Sequence, residues 1–248
     1  MSGERIRGIY LLPNLFTTCA LFAGFYAIIA ANDARFHDAA VAVLVAMILD
    51  GVDGRVARLT NTQSEFGAEY DSFSDLIAFG LAPALVVYHW SLVSLNDLGP
   101  GWAKLGWLAA FFYTAMTAMR LARFNVQHDD EEVDNRYFSG LPSPTAAALV
   151  IGFMWFTFDN KVDGESVRWL TFLVVLISGA LMMSDVKYHS FKEIDFMRKV
   201  HALWIPALVI CLTALAFYPP AVLFLGALIY TASGPAQILY DKLKSRKG

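Results

Sequence analysis

Charge is scarce in this sequence: Asp, Glu, Lys and Arg make up 17% of its 248 residues, against roughly 25% in an ordinary water-soluble domain. Cysteine is scarcer still. Cys19 and Cys211 fall in apolar segments far apart in sequence, which argues against a disulfide framework and leaves both expected as buried small residues. The five histidines (His37, His89, His128, His189 and His201) are dispersed, and each reads as an interfacial or loop residue rather than a ligand. Net charge is only −3, too mild to argue for a nucleic-acid partner. Apolar segments follow one another too closely for a second domain. No signal-peptide pattern precedes the first apolar run, so that run is expected to be retained.

Apolar residues are plentiful. They form 57% of the chain, and mean hydropathy is +0.49. About 20 apolar residues cross a bilayer, and by that measure eight segments qualify: 10–31, 37–57, 66–94, 102–124, 143–159, 167–184, 201–217 and 220–240. The expected fold is therefore all-α, a polytopic membrane helical bundle forming one domain over 1–248. Pro13, Pro83 and Pro206 lie in or at the ends of spans, where neighbouring helices can absorb the break. The six tryptophans fall mostly near span ends, as an interfacial belt would.

Lysine and arginine set the expected orientation. With the N-terminus inside, fifteen basic residues fall on the cytoplasmic side and four (Arg35, Lys104, Lys161 and Arg168) on the other. Both termini are then cytoplasmic. The basic tail 241–248 and the segment 187–199 could also attract anionic headgroups. The acidic run 128–134 lacks helical ligand spacing and reads as a solvated loop.

Against this apolar background stands D50-x-x-D53-G54-x-x-A57-R58, then eight residues, then G67-x-x-x-D71-x-x-x-D75. Each carboxylate within a membrane costs roughly 2.5–3.5 kcal/mol on insertion scales, so four together need a counter-charge. Asp50 and Asp53 share one helix face, and Asp71 and Asp75 share another. A short turn near residues 60–64, with Thr62 and Glu65 as a capping box, would set the two pairs opposite each other. An all-oxygen cage of this kind suits Mg²⁺ or Mn²⁺ rather than zinc. Gly54 and Gly67 leave room for close approach of a ligand or a helix, and Arg58, one turn on, could reach a phosphate. The bland alternatives are carboxylates paired with arginines inside the bundle, or an ion pathway.

That string resembles, at every specified position, the signature of the CDP-alcohol phosphotransferases. The resemblance implies a membrane enzyme with a six-helix core, usually homodimeric, that displaces CMP from a CDP-linked lipid or alcohol with a second alcohol. It further implies that Asp50, Asp53 and Asp71 bind metal, two ions in all, and that Asp75 acts as general base and also touches metal. Gly54, Ala57, Arg58 and Gly67 would line the CDP-lipid site. Asn14 and Thr17, in a stretch similar to the family's P-N-x-x-T opening, would join them.

Three further stretches, R120-L-A-R123-F-N125, G140-L-P-S143-P-T-A-A and S184-D-V-K187-Y-H-S-F-K192, resemble the bacterial phosphatidylserine synthase branch of that family. The resemblance covers about 9–192 as the core and leaves about 200–241 as an added C-terminal helix pair. It implies CDP-diacylglycerol and L-serine as substrates, membrane lipids as surroundings, and the bacterial inner membrane as location, with the site facing the cytoplasm. A zwitterionic acceptor needs a cation for its carboxylate, for which Arg120, Arg123, Lys187 and Lys192 are candidates, with Asn125 and Ser143 assisting. The two prolines of the L-P-S-P-T stretch are expected to shape the start of span five.

Other readings remain open at this level. One is a related enzyme with a glycerol 3-phosphate or inositol-type acceptor, or a CDP-archaeol donor. A transporter using the intramembrane carboxylates is the non-enzymatic alternative, although no inverted repeat relates the two halves.

Overall fold

Long apolar runs dictate helices here, because backbone groups inside a bilayer must be satisfied within their own segment. The computed structural model describes residues 11–60, 62, 64–128, 137–189, 209 and 213–245, and these are almost wholly helical. In chain order they form α1 (Leu11–Asn32), α2 (Phe36–Thr60), α3 (Glu65–Asp75), a π-helical turn (Leu76–Leu81) and α4 (Ala82–Trp90). A 3₁₀ segment (Leu92–Leu98) leads to α5 (Pro100–His128). After β1 (Tyr137–Ser139) come α6 (Ser143–Asp159), α7 (Arg168–Met182), β2 (Lys187–His189) and α8 (Pro219–Ser245). The protein is an integral membrane protein built as an all-α bundle. By length and apolarity alone, three stretches can cross a membrane unaided: Pro13–Asn32, Glu65–Trp90 and Pro219–Ile238. The charges of α2 and α5 and the shortness of α7 dilute the same signal there. Most of the expected span 201–217 lies outside the described residues.

α1 and α2 form an antiparallel hairpin whose tight turn places Ala34 at φ 57°. Their contact is built from small side chains: Ala20, Ala23, Ala27, Ala30 and Ala31 are buried, as are Ala39, Ala40, Val43 and Ala46. Small residues let helix backbones approach closely when lipid supplies no hydrophobic drive for association. At Gly24 this closeness is absolute, since a Cβ there would lie 2.7 Å from Ala78 Cα in the π-turn.

α6 is the central element. Ala146 through Trp155 are buried without interruption, the mark of a helix apolar on all sides and enclosed by others. Pro142 sits at its N-cap and Pro144 in its first turn, where a missing N–H costs nothing. α8 lies against α6 so closely that a Cβ on Gly152 would fall 2.8 Å from Phe224 N.

Two expectations fail for a common reason. Cys19 is exposed on α1 rather than buried, and Trp90 and Trp155 are core residues, 8% and 3% exposed, rather than belt residues. In a membrane helix the lipid-facing and protein-facing sides are equally apolar, so composition alone does not tell them apart. Trp102 and Trp169 do lie near the surface, edge to face at 5.3 Å.

Candidate active site

The turn between α2 and α3 decides where the carboxylates meet. Thr62 does not cap α3. Its hydroxyl pairs with that of Thr60 at 2.7 Å, and Ser64, in extended conformation, becomes the N-cap, its Oγ accepting from Gly67 N at 3.0 Å. α3 then packs against α1, with Asp71 and Asp75 about two and three turns inside it.

Carboxylate oxygens of Asp50, Asp53 and Asp71 all lie within 4.8 Å of one another. Asp53 is buried, at 5% exposure, and α1 anchors it: Thr17 Oγ1 donates to Asp53 Oδ2 at 2.9 Å. Asp75 follows one turn beyond Asp71 on the same face of α3. All four aspartates thus converge from two helices, as their spacing suggests. Ser74 Oγ donates to the Thr17 carbonyl at 3.1 Å, locking α3 to α1.

The residues fit a divalent cation. Asp71 Oδ1 is buried with no hydrogen-bond partner among the described residues. The described salt bridges lie elsewhere, at Arg35, Arg123, Arg168 and His37. Clustered carboxylates with an unused oxygen form a donor set for a hard ion.

The neighbouring candidates lie around this cluster. Asn14 Oδ1 would be 3.5 Å from a Cβ on Gly67, so that glycine keeps α1 and α3 together. A Cβ on Gly54 would meet nothing within 4 Å, which leaves open space beside Asp53. Ala57 is half-buried one turn on. The side chain of Arg58 and the whole of Lys192 lie outside what is described.

The six acceptor candidates separate. Arg120 is buried at 8% exposure; its Nη1 donates to Ser143 Oγ at 3.1 Å, and its Nε has no hydrogen-bond partner among the described residues. Arg123, one turn later, is a clamp, donating to the carbonyls of Ser139 (2.8 Å), Met182 (3.3 Å) and Met183 (3.4 Å). Gly140, at φ 81°, permits this knot, because a Cβ there would strike the Met182 carbonyl and Arg123. Asn125 Nδ2 donates to Ser72 Oγ at 3.1 Å, tying α5 to α3 between the two aspartates. Lys187 stands exposed on the β1–β2 ribbon, opposite Ser139.

One feature of the site has no signature in the sequence. The π-helical turn begins directly after Asp75, and such turns recur at functional sites. Pro83 has no N–H to offer the Phe79 carbonyl one turn back, and α5 supplies hydroxyls here: Tyr113 OH donates to Phe79 O at 3.1 Å and Thr114 Oγ1 to Gly80 O at 3.5 Å.

An acidic cage at one end of a helical membrane bundle, beside a buried arginine, defines a membrane enzyme for phosphate-bearing substrates. Residues 10–191 match the CDP-alcohol phosphatidyltransferase family, and the chain belongs to that family. Its members generally depend on a divalent metal. The chain is similar to a CDP-diacylglycerol–serine O-phosphatidyltransferase of Helicobacter pylori, 39% identical over 202 residues and covering 80% of each chain. It is similar to proteins of the same name from Mycobacterium tuberculosis, 30% identical over 245 residues (94% of this chain, 80% of that one), and Methanocaldococcus jannaschii, 31% identical over 229 residues (92% and 94%).

Proposed function

We propose that this protein transfers the phosphatidyl group of CDP-diacylglycerol to the hydroxyl of L-serine, giving phosphatidylserine and CMP. The observation that carries the proposal is the convergence of Asp50, Asp53 and Asp71 within 4.8 Å, with Asp75 one turn beyond Asp71 on α3, in a family member whose curated relatives bear that activity in their names.

In this reading Asp50, Asp53 and Asp71 hold Mg²⁺ or Mn²⁺, two ions in all, with Asp75 at their edge. When bound, the metal supplies positive charge to the pyrophosphate oxygens of the donor. Phosphoryl-type transfer depends mainly on alignment and charge stabilisation, so the remaining duties of the chain are positional. The open space at Gly54, with Ala57, Arg58, Gly67, Asn14 and Thr17 around it, receives the CDP moiety. Asp75 takes the proton of the serine hydroxyl as its oxygen forms the new bond to the phosphatidyl phosphorus. The bond from that phosphorus to the CMP oxygen breaks, and CMP leaves with the electron pair. A single displacement of this kind needs no enzyme-bound intermediate.

The serine carboxylate is assigned to Arg120 and Ser143. Arg120 is buried and has an N–H to spare, which supports it over Arg123, whose donors already hold three carbonyls. Lys187 and Asn125 serve the scaffold around them. The excess of basic residues on one side supports cytoplasmic termini and a site open to the cytoplasm. The family resemblance supports a homodimer in a bacterial inner membrane, with 1–248 as one domain.

Purified protein in detergent, given CDP-diacylglycerol and Mg²⁺ or Mn²⁺, should release CMP only when serine is added. Chelation should stop the release. CMP release with glycerol 3-phosphate or an inositol compound, but not with serine, would overturn the acceptor and keep the family. Metal-dependent solute flux in liposomes without CMP would overturn the enzyme altogether.

A further inference from the structure

The groups assigned to the reaction sit on two different pairs of helices. α2 and α3 carry the four aspartates, whereas α5 and α6 carry Arg120 and Ser143, joined at 3.1 Å. Proton transfer to Asp75 requires the acceptor hydroxyl within hydrogen-bond reach of that carboxylate. The separation of α3 from α5 is therefore a dimension on which the rate depends. α3 packs chiefly against α1 and the π-turn, and it meets α5 over a much narrower contact.

At that contact stand Ser72 and Asn125. Asn125 Nδ2 donates to Ser72 Oγ at 3.1 Å, and the same oxygen lies 3.3 Å from Asn125 Oδ1, so the amide meets the hydroxyl with both of its polar atoms. The Ala68 carbonyl, 3.1 Å from Ser72 Oγ on the preceding turn of α3, orients the hydroxyl. Ser72 directly follows Asp71 and precedes Asp75 by three residues, which puts it on the Asp75 side of the helix.

A link of this kind sets a distance only when both of its ends are fixed. On α3, Ser74 Oγ donates to the Thr17 carbonyl of α1 at 3.1 Å. On α5, two residues before Asn125, Arg123 donates to the carbonyls of Ser139, Met182 and Met183. Arg120 lies five residues before Asn125, about 7.5 Å along the helix axis. The two side chains part there, Arg120 bonding to α6 and Asn125 to α3.

We propose that Ser72 and Asn125 are positioning residues, whose hydrogen bond sets the span between the base on α3 and the acceptor-holding arginine on α5. This rests on the roles given above to Asp75 and Arg120. In this role the pair touches neither substrate nor metal; it governs how well bound reactants are aligned, not how tightly they are held. Misplacement by about 1 Å from a change far from the chemistry can cost on the order of 10²-fold in rate.

Ser72→Ala and Asn125→Ala test it. Each should lower kcat by about ten- to a hundredfold and leave the KM values for serine and CDP-diacylglycerol within about twofold of wild type. Equilibrium binding of labelled serine and of a labelled CDP-lipid should be equally unmoved, which a general loosening of the bundle would not allow. Ser72→Thr keeps the hydroxyl and should retain most of kcat. The double alanine variant should be no slower than the slower single one, because both act through one bond. Unchanged kcat in either alanine variant, losses that multiply in the double variant, or weakened serine binding in Asn125→Ala alone would overturn the proposal. Wild-type protein without serine-dependent CMP release would instead overturn the reading on which it rests, a result obtained before any variant is made.

Discussion

Thr17 Oγ1 lies 2.9 Å from Asp53 Oδ2, joining the first helix of the chain to the second at the acidic cluster. The donor also reaches the Pro13 carbonyl of its own helix at 3.1 Å, so it is already oriented before the aspartate is considered.

Replacing that hydroxyl by a methyl in Thr17→Val should loosen Asp53 without opening a cavity. A hydrogen bond to a charged group is worth about 1.5–3 kcal/mol. The Mn²⁺ or Mg²⁺ concentration for half-maximal CMP release should therefore rise by about tenfold or more, and Thr17→Ser should retain most of the wild-type requirement. A metal titration of CMP release checks both.

Asp75→Asn keeps size and hydrogen-bonding reach but removes the base. Turnover should fall by roughly 10²–10⁴-fold, the usual worth of a positioned general base, while binding of a CDP-lipid persists. Equilibrium binding of a labelled CDP-lipid beside single-turnover CMP release separates the two. Substantial residual turnover would take Asp75 out of the base role.

Tyr113→Phe strands the Phe79 carbonyl, to which Pro83 offers no N–H. An unsatisfied buried acceptor costs about 1–3 kcal/mol. The expected outcome is a lower melting temperature in detergent together with a reduced kcat, because the turn directly follows Asp75. A stability loss with full kcat would show that the turn serves the bundle alone.

Gly140→Ala should be among the most damaging single changes outside the cluster. The left-handed φ of 81° costs an alanine about 1–2 kcal/mol, and the added methyl meets Arg123 Nη2 at 2.8 Å and the Met182 carbonyl. Yield of folded protein on size-exclusion chromatography should drop sharply, whereas Gly54→Ala, with open space around it, should fold normally and show its defect in CDP-lipid binding.

Much of this architecture could be read from residue order. The fifth span was expected over 143–159 and α6 runs Ser143–Asp159, because a continuous apolar run is bounded by prolines on one side and by Asp159 and Asn160 on the other. The aspartate cluster was equally plain, since helical spacing alone puts each pair on one face. The cap of α3 was not. Thr62 and Ser64 are chemically equivalent candidates, and only the pairing of Thr62 with Thr60 decides between them. Arg120 and Arg123 likewise look interchangeable one turn apart; their different duties come from Ser143 and from three carbonyls contributed by segments about 15–60 residues away. Nothing in L76-I-A-F-G-L81 announces a π-turn, which depends on Gly24 pressing against Ala78 and on hydroxyls waiting on α5.

The π-turn also acts as a phase shifter along one continuous rod. One additional residue in a helical turn rotates everything beyond it by about 100° relative to an uninterrupted α-helix. The acidic half, up to Asp75, and the aliphatic half, from Ala82, are thereby indexed independently. Substitutions that retune packing in the aliphatic half can accumulate without swinging the carboxylates off target, whereas deleting a single residue between 76 and 81 would misalign one half with its neighbours.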